Sequence, residues 1–393
     1  MTLRLTYVVT HPITAKLLLR GQLRYMRERG YEVTVISSPG PELDAVAERE
    51  GVRVVGVEMA RGVRPTEEPR AAWRLFDAIR LARPDILNAS TPKASVLGLM
   101  AARALDVPVR VYLLRGLRLE GFSGFARSAL GVAERVSAAC SHHVVSVSES
   151  LRRAYIDGGY AKPEKVSVIP SNGIDILRFP ERKRTRAEAG IVRQRLGISP
   201  SAIVAGFVGR LVTDKGAADL VTAVEHAASE VPGLRVLVVG GDFGEDSLPV
   251  EVRRRFAENP NIMVVGTVED TAPYYAAMDL LVFPSGREGL PNVPLEAAAS
   301  EVPAIGYRST GVVDAIVDGE TGRIVDRGDV SALAAAIVEY AALPDLRARH
   351  GHAGRQRVLA RFTNERTWEA WAQLYEQLVA LSPRVSLPRA PRH

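Results

Sequence analysis

Short apolar stretches alternate with amphipathic stretches along nearly the whole sequence, and this feature limits the possible folds most strongly. A short apolar stretch followed by apolar residues at every third or fourth position predicts a strand and then a helix. Strands that are separated by helices form a parallel sheet through crossover connections. The alternation therefore predicts an α/β protein. In the first half, the predicted strands are Leu5–Val9, Val33–Ser37, Val52–Val57, Ile86–Asn88, Val109–Leu113, Val144–Val147 and Val166–Ile169.

The alternation starts again after the charge-rich stretch Arg182–Arg186, which indicates a domain boundary. Two such halves predict two doubly wound, Rossmann-like domains, which bind ligands at the carboxyl ends of their strands. We expect an N-terminal domain over 1–180, a C-terminal domain over 181–381 and a disordered tail over 382–393. The final helix, Glu365–Leu381, is expected to pack back toward the N-terminal domain. In the second half, the predicted strands are Ile203–Val208, Val236–Val239, Ile262–Val265, Leu280–Phe283 and Ala304–Ile305.

The composition excludes several classes of protein. Of the 393 residues, 47% are hydrophobic, which is too many for a disordered chain. The single cysteine, Cys140, excludes an intramolecular disulfide and a cysteine-based zinc site. No run of about 20 apolar residues is available to span a bilayer, and the first residues lack the features of a signal peptide. We therefore expect a cytoplasmic protein.

The first segment with chemical content is Gly209–Gly216, which reads GRLVTDKG and follows a predicted strand. A loop that leads from the carboxyl end of a parallel strand into a helix is where doubly wound folds bind anions. The planar guanidinium of Arg210 suits phosphate oxygens, and Lys215 adds a second, mobile positive charge. The segment favours a phosphate site, with two solvated surface cations as the alternative interpretation.

The second segment, Phe283–Ala297, reads FPSGREGLPNVPLEA and contains Glu288 in a loop and Glu296 in the first turns of a helix that Asn292 can cap. The free N–H groups of a helix N-terminus, together with the small Gly289, let a ligand approach the backbone. Two carboxylates would repel a bare phosphate, but they suit a nucleotide sugar, which carries hydroxyls on both sides of its phosphates. The alternative for Glu288 is an exposed acid in a loop, and the alternative for Glu296 is an acid that interacts favourably with the helix dipole.

These segments resemble the donor site of the retaining family 4 glycosyltransferases. That family has the GT-B fold, in which two doubly wound Rossmann-like domains face each other across a cleft. The glutamates in EGLPNVPLEAAA resemble its E-x7-E signature, and GRLVTDKG resembles its pyrophosphate-binding loop. The stretches RGQLRYMRERGYEVTVISSPG and STPKASVLGLMAARALDVPVRV resemble the branch that makes capsular and other surface polysaccharides. Three more segments resemble the family in its order: Gly266–Asp270, Ile169–Asp175 and 311–329.

The resemblance implies roles for the matching residues. Arg210 and Lys215 would bind the donor pyrophosphate and stabilise the charge of the leaving nucleoside diphosphate. Glu288 would hold hydroxyls of the donor sugar, Glu296 would hold those of the ribose, and Val268 would contact the base through its backbone. The backbone groups of four further residues would line the sugar and the phosphates, although a proline offers no N–H for such contacts. These residues are Gly289, Leu290, Pro291 and Asn292.

The family uses no metal, and the sequence contains no D-x-D triplet, so we expect neither a metal nor a cofactor besides the nucleotide-sugar co-substrate. Many members carry a histidine where this sequence has Arg115, and an arginine cannot act as a general base. In the retaining reaction, the leaving phosphate itself accepts the acceptor's proton. Arg115 could then stabilise that phosphate or bind an acidic acceptor, whereas positioning by Glu120 is the alternative.

Four other residues are candidates for the cleft. His11 and Thr14 occupy the place of the family's usual N-terminal glycine-rich loop, and Thr14 is equally a candidate helix cap. Lys93 lies at another strand-to-helix junction, where it could meet an acceptor phosphate or remain a solvated lysine. Asn172 lies in the segment that ends the N-terminal domain.

The net charge of +6 is unevenly distributed, since residues 1–180 hold 26 basic and 18 acidic side chains and residues 181–393 hold 25 and 27. Arg20, Arg24 and Arg27 are spaced to share a helix face, and Arg127 and Arg135 lie in another basic stretch. Such surfaces suit anionic lipid at the inner face of the membrane, while a solvated face is the alternative.

We therefore expect a retaining, metal-independent hexosyltransferase. It would move a hexose or N-acetylhexosamine from a UDP-sugar to a lipid-linked glycan or a secondary-metabolite acceptor. The alternatives are a sugar-nucleotide epimerase on the same fold and a non-catalytic basic module that binds membrane or nucleic acid. Clustered aromatic residues are missing, so no nucleic acid is expected as a partner. A Rossmann dehydrogenase is disfavoured because no G-x-G-x-x-G follows a strand.

Overall fold

The computed structural model describes residues 2–59, 68–170, 173–182, 185–241 and 248–383. It divides into two compact units, of which the first holds the described residues up to Gly173 and those from Asn364 onward, and the second holds Ile174–Thr363. The chain changes unit a few residues before the predicted boundary, because the Ile174 N–H already donates to the Phe362 carbonyl of the second unit, at 2.7 Å. Arg182, predicted to mark the boundary, donates to Asp279 within that unit, at 2.6 Å.

The first unit is built on a parallel sheet of seven strands in the order β3-β2-β1-β4-β5-β6-β7. The order reverses beside β1, which pairs with both β2 and β4, so that Val8 lies opposite Ile36 and Ala89. All seven strands predicted in this half are confirmed within a few residues. They are β1 (Arg4–Val8), β2 (Glu32–Ser37), β3 (Arg53–Gly56), β4 (Ile86–Ser90), β5 (Val109–Leu114), β6 (His143–Ser146) and β7 (Val166–Val168).

Apolar residues at helical spacing over 15–29 predict a single helix that ends at Gly30, and this prediction is wrong. The stretch 15–29 forms two helices instead of one, and they are separated around Gly21, which has a φ of +77°. A Cβ atom at this glycine would lie 2.6 Å from the Trp368 ring, so the helix break makes room for a side chain from the far end of the sequence. The helices are α1 (Pro12–Leu18), α2 (Gln22–Glu28), α3 (Pro41–Glu50), α4 (Glu68–Ala82), α5 (Pro92–Ala104), α6 (Gly124–Cys140) and α7 (Glu149–Asp157).

The second unit repeats this topology with six parallel strands in the order β10-β9-β8-β11-β12-β13. Alternate residues of its central strand belong to different hydrophobic clusters, with Val204 and Val208 in one and Ala205 and Phe207 in the other. Both faces of the sheet are therefore buried, as expected for a doubly wound sheet. The strands are β8 (Val204–Gly209), β9 (Arg235–Gly240), β10 (Ile262–Gly266), β11 (Leu280–Phe283), β12 (Ala304–Tyr307) and β13 (Gly322–Val325).

Helices connect these strands and cover the sheet. They are α8 (Arg186–Arg195), α9 (Ala217–Glu230), α10 (Val250–Glu258), α11 (Ala272–Ala277), α12 (Asn292–Ala299), α13 (Val312–Ala315), α14 (Val330–Ala342) and α15 (Pro344–Arg361). In the described part of the chain, none of the helices has the length and apolar character needed to cross a membrane.

The last helix, α16 (Asn364–Ala380), returns the chain to the first unit. Its Trp371 and Tyr375 are completely buried. The Asn88 amide of β4 donates to the Tyr375 hydroxyl at 2.7 Å, and the Tyr375 hydroxyl donates to that of Tyr7 in β1 at 3.3 Å. The helix is thus fixed to the centre of the first sheet. The predicted tail overlaps residues 384–393, which lie outside the described residues.

Candidate active site

The two chemically informative segments follow neighbouring strands of the second unit. β8 and β11 pair directly, with Leu280 opposite Ala205, and the strand order reverses between them. Because the strands are parallel, the loop from β8 into α9 and the loop from β11 into α12 leave the same edge of the sheet. That edge, at the reversal point, is where doubly wound folds bind their ligands. The structure therefore brings the segments that contain Lys215 and Glu288 together.

Glu288 is the centre of a small polar cluster at this edge. Its Oε1 accepts from the Lys215 ammonium and from the Ser285 hydroxyl, the latter at 2.6 Å. The Lys215 and Glu288 side chains are only 25% and 14% exposed, so water screens this ion pair less than it screens a surface pair. The Lys215 ammonium also lies 5.9 Å from the centre of the Phe283 ring. Both side chains are therefore held in fixed positions, and neither is the solvated surface charge of the alternative interpretation.

Asp214 connects the two loops through its backbone and side chain, a role that its sequence motif does not predict. Its carbonyl accepts from the Gly286 N–H at 3.0 Å and lies 3.3 Å from the Ser285 hydroxyl oxygen. Its carboxylate accepts from Arg287 at 2.8 Å. These contacts fix the position of the Glu288 loop relative to Lys215. Asp214 lies in the segment Gly209–Gly216, and Arg287 lies in the segment Phe283–Ala297. Their ion pair forms because the two loops, which are distant in sequence, come into contact.

Two glycines allow the loops at this edge to approach closely. Gly216 has a φ of +69°, and a Cβ atom there would lie 2.0 Å from the Pro284 carbonyl oxygen. Gly311 has a φ of +77°, and a Cβ atom there would lie 2.3 Å from the Gly289 carbonyl oxygen. The Glu288 N–H donates to the Thr310 carbonyl at 3.2 Å in the same region. Side chains at either glycine would force these loops apart.

Glu296 is held by a second group of residues. It lies within α12, half-buried, and its Oε2 accepts from the Tyr275 hydroxyl at 2.9 Å. Burial raises the pKa of Glu296 above its usual value, and the Tyr275 hydrogen bond and the charge of Arg178 partly oppose this effect. Tyr275 is fully buried and packs edge-on against Phe179 at 5.8 Å. Neither Tyr275 nor Arg178 lies in a recognisable motif, so the sequence does not predict their roles.

The loop that carries Val268 is fixed by Arg178, whose guanidinium donates to the Asp270 carboxylate at 3.1 Å and to the Glu269 carbonyl at 3.2 Å. The Val268 side chain packs against the hydrophobic core of the unit. Its side chain is therefore engaged in packing, and the predicted contact between the Val268 backbone and the base of the donor stays a prediction.

The remaining donor-site candidates lie at the same edge of the second sheet. Arg210 is exposed directly after β8, and Gly289 and Leu290 precede α12. The helix starts at Asn292 as expected, but Pro291 occupies the capping position, so the predicted cap at Asn292 is wrong by one residue. A further cation lies nearby, since a Cβ atom at Gly286 would be 2.9 Å from the guanidinium of Arg327. Arg327 follows β13 and was not singled out from the sequence.

His11 and Thr14, the two candidate cleft residues that follow β1, have different positions relative to α1. His11 is the capping residue of α1, and its Nδ1 accepts from the Ile13 N–H at 3.3 Å. Thr14, the alternative candidate for this cap, lies inside the helix. Thr91, which was not predicted from the sequence, follows β4 with a φ of +75°, which is a strained value for a β-branched residue. Its hydroxyl lies 2.7 Å from that of Thr10, which connects the loops after β1 and β4.

Three more candidates of the first unit have different environments. Lys93, at the start of α5, is only 12% exposed and forms an ion pair with Glu68 at 2.5 Å, so it is not the solvated lysine of the alternative interpretation. Arg115 directly follows β5 and is partly buried, and this burial lowers the pKa of Arg115 to about 10. Asn172 lies outside the described residues.

The predicted helix face of Arg20, Arg24 and Arg27 is wrong for Arg20, whereas Arg24 and Arg27 lie three residues apart in α2. Arg20 lies between α1 and α2, outside both helices. Arg24 and Arg27 donate to the carbonyls of Arg49 and Gly51, the latter at 3.1 Å, at the end of α3. Their charges therefore cap a neighbouring helix, because cations are favourable at a helix C-terminus.

The chemistry of the second unit suits an anionic ligand that also carries hydroxyls. Lys215 and Arg210 supply positive charge, and α9 and α12 direct N–H groups toward the same edge. Glu288 has one oxygen engaged by Lys215 and Ser285, and its Oε2 can accept from hydroxyls. Within the described ranges, no group of three or more His, Cys, Asp or Glu side chains has an arrangement that could hold a metal ion.

Both halves of the chain match known families. Residues 18–172 match the family described as "Glycosyl transferase 4-like domain", and residues 202–342 match the family described as "Glycosyl transferases group 1". Together with the fold and the paired loops of the second unit, these matches define the chain as a glycosyltransferase.

Relatives of known role give a narrower assignment. The capsular polysaccharide biosynthesis glycosyltransferase CapM of Staphylococcus aureus is 33% identical over 361 residues, which cover 91% of this chain and 93% of that protein. The lipopolysaccharide core biosynthesis glycosyltransferase LpsE of Rhizobium meliloti (strain 1021) is 27% identical, with 89% and 92% covered. The chain belongs to glycosyltransferase family 4, in the branch that makes capsular and other surface polysaccharides.

A solved structure supports the fold. The crystal structure of Anabaena Alr3699/HepE in complex with UDP superposes with a TM-score of 0.80 at 21% identity, and covers 96% of this chain and 100% of that one. The predicted fold class, an α/β protein of the GT-B type with two doubly wound Rossmann-like domains, is thereby confirmed.

Proposed function

We propose that this chain is a retaining, metal-independent glycosyltransferase. It transfers a hexose or an N-acetylhexosamine from a UDP-sugar to a lipid-linked glycan during the synthesis of a surface polysaccharide. The observation that carries the proposal is the cluster of Lys215, Glu288 and Ser285 at the reversal point of the second sheet. The UDP in the structurally similar HepE supports the choice of base, and the names of CapM and LpsE favour a glycan over a secondary-metabolite acceptor.

In the proposed reaction, the acceptor hydroxyl oxygen forms a bond to C1 of the donor sugar. The bond between C1 and the phosphate oxygen breaks, and its electron pair leaves with UDP. The hydroxyl proton passes to the departing phosphate on the same face of the sugar, so the configuration at C1 is retained. No protein base is then needed, which agrees with an arginine at position 115.

The residues of the second unit have separate tasks in this scheme. Lys215 and Arg210 stabilise the negative charge that develops on the diphosphate, and they replace a metal ion in that role. The Oε2 atom of Glu288 accepts from hydroxyls of the donor sugar, while Ser285 and Lys215 hold Oε1. Glu296 accepts from the ribose hydroxyls, with its position fixed by Tyr275. In the first unit, Arg115 contacts the acceptor.

The test compares donor binding and turnover across a panel of nucleotide sugars in the wild type and in Lys215→Ala and Glu288→Gln. We expect UDP-sugar binding by calorimetry, and a loss of roughly 10²–10³-fold in kcat/KM for either variant, as for removal of a charge stabiliser. NMR of the product should show that the donor's anomeric configuration is kept.

Glu251→Gln is the matched control, because it breaks the exposed pair of Glu251 and Arg254 on α10 of the same unit. Its turnover should equal that of the wild type. Absence of nucleotide-sugar binding in the wild type, or full activity in both site variants, would refute the proposal. Isomerised donor formed without acceptor would point to the epimerase instead.

A further inference from the structure

Residues 174–179 open the second unit, and hydrogen bonds fix their backbone. The Arg355 guanidinium of α15 donates to the Phe179 carbonyl at 2.9 Å. The Asp175 carboxylate accepts from the Arg178 N–H at 3.3 Å, which is the hydrogen bond that an aspartate makes when it holds a turn. The Arg178 side chain therefore starts from a backbone position that the fold of the second unit determines.

Arg178 reaches from this segment to the loop after β10. Its Nε donates to the Asp270 carboxylate at 3.1 Å, and its Nη2 donates to the Glu269 carbonyl at 3.2 Å. One rigid guanidinium thus holds two successive residues of the loop, which the single ammonium of a lysine cannot do with the same geometry. Because Val268 directly precedes these residues, the position of its backbone depends on Arg178.

The same guanidinium is connected to Glu296 by packing and by charge. It lies 5.5 Å from the centre of the Phe179 ring, which packs edge-on against Tyr275 at 5.8 Å. The Tyr275 hydroxyl in turn donates to Glu296 at 2.9 Å. Burial raises the pKa of Glu296, the charge of Arg178 lowers it, and the charge of Asp270 raises it. One arginine is therefore linked to both parts of the site that are predicted to contact the nucleoside.

We propose that Arg178 is a positioning residue that couples recognition of the base to recognition of the ribose in the donor nucleotide. It holds the loop after β10 in place for the base, and its charge keeps Glu296 in the ionised state that accepts from two ribose hydroxyls. The inference rests on the proposed function, in which Val268 contacts the base and Glu296 contacts the ribose. Arg178 acts through these two residues and not by contact with the donor.

The exposure of this ion pair separates a positioning role from a purely structural one. The Arg178 and Asp270 side chains are 31% and 57% exposed. Ion pairs with this much exposure to water contribute little to the stability of a fold. Substitution of Arg178 should therefore leave the second unit folded and change the binding of the nucleotide.

The first test is calorimetric titration of the full chain with UDP and with 2′-deoxy-UDP. Arg178→Met keeps an apolar side chain of similar length but removes both donors, so the affinity for UDP should fall about tenfold, as for the loss of a charged hydrogen bond. The preference for UDP over the deoxy analogue should shrink as well, because Glu296 is then less fully ionised and gains less from the 2′-hydroxyl.

The second test is the pH dependence of UDP affinity, which should fall as the pH is lowered through the pKa of Glu296. Loss of the Arg178 charge raises this pKa, so the fall should begin at a higher pH in Arg178→Met. Arg178→Lys keeps the charge and should keep the wild-type pH profile, but its UDP affinity should still decrease. Tyr275 and Asp270, which also face Glu296, are present in every variant, and the titration of UDP itself affects all variants equally.

Arg254→Met is the matched control, because it removes an exposed arginine that pairs with Glu251 on α10 of the same unit. It should bind UDP like the wild type at every pH, and urea unfolding establishes that each variant is folded. Wild-type UDP affinity in Arg178→Met would overturn the role of Arg178. An equal loss for UDP and its deoxy analogue, with an unchanged pH profile, would overturn the coupling to Glu296. A wild type that binds no UDP would instead refute the proposed function.

Discussion

Glu288 shows how a single side chain in this protein combines a structural and a chemical task. One of its oxygens accepts from both Lys215 and Ser285, so the carboxylate is oriented by the protein before any ligand arrives. Holding a group in its working geometry lowers the cost of using it in the transition state. Lys215 in turn is oriented by Glu288, and therefore a substitution at either residue affects the placement of the other.

A buried acid in the first unit gives a prediction about pH. Glu134 on α6 is almost completely buried and accepts from the Tyr112 hydroxyl at 2.8 Å, and burial raises the pKa of Glu134 from 4.5 to about 7. Between these values the folded chain binds more protons than the unfolded chain, so the free energy of unfolding falls as pH rises. Glu134→Gln should remove this slope and be more stable than the wild type by about 2–3 kcal/mol at pH 8.

Urea unfolding followed by tryptophan fluorescence measures this effect, because all three tryptophans, Trp73, Trp368 and Trp371, belong to the first unit. The difference between Glu134→Gln and the wild type should shrink as the pH is lowered from 8 toward 4.5. The exposed Glu164 provides the control, since Glu164→Gln should follow the wild type at each pH. A constant difference at all pH values would contradict the assignment to Glu134.

At the scale of elements, the site depends on the close approach of the loops after β8 and β11. Gly216→Ala should push these loops apart, because its Cβ would lie 2.0 Å from the Pro284 carbonyl oxygen. We expect UDP-sugar affinity to fall at least about tenfold, as for loss of a positioned charged contact. Calorimetric titration with the donor measures the change.

Gly233→Ala is the control that distinguishes the steric clash at Gly216 from the cost of backbone strain. Gly233 also has a positive φ, +80°, but a Cβ atom there would have nothing within 4 Å. Both variants pay the conformational cost of about 1 kcal/mol for a non-glycine residue at positive φ. Equal donor affinity in the two variants would show that the close approach at Gly216 does not matter for binding.

The sequence was most informative about the elements. Strand and helix order follow from hydrophobic periodicity, and the two donor loops follow from residues at the ends of strands. The break at Gly21 could not be predicted, because it depends on Trp368, which is far away in sequence. Tyr275 and Arg178 support Glu296 and Val268 from separate elements, and such tertiary partners leave no local pattern. Arg24 and Arg27 have the spacing of a solvated face, but a neighbouring helix end binds them.

At the scale of the whole molecule, the first unit depends on both ends of its described sequence. Trp371 of α16 is completely buried in this unit. Trp371→Ala should therefore destabilise it by about 3–5 kcal/mol, the usual cost of removing a buried large aromatic side chain. Hydrogen exchange should speed up in peptides that cover β1 and β4, and should be unchanged in peptides that cover β8.

Trp73→Ala is the matched control, because Trp73 is 69% exposed in the same unit. Its exchange pattern should equal that of the wild type. Faster exchange in β8 of the Trp371→Ala variant would contradict the division into two units, and unchanged exchange in β1 would contradict the dependence of the first unit on α16.

The return of α16 to the first unit also sets the order in which the protein can fold during synthesis. A ribosome makes residues 174–363 after the seven strands of the first sheet and before α16. At about 5–20 residues per second, the first unit waits roughly 10–40 s for its last helix. During that interval the second unit can complete its sheet, whereas Tyr7 and Asn88 still lack Tyr375. The half of the chain that is translated first is therefore the half that finishes folding last, and in the meantime its apolar surface is open to chaperones.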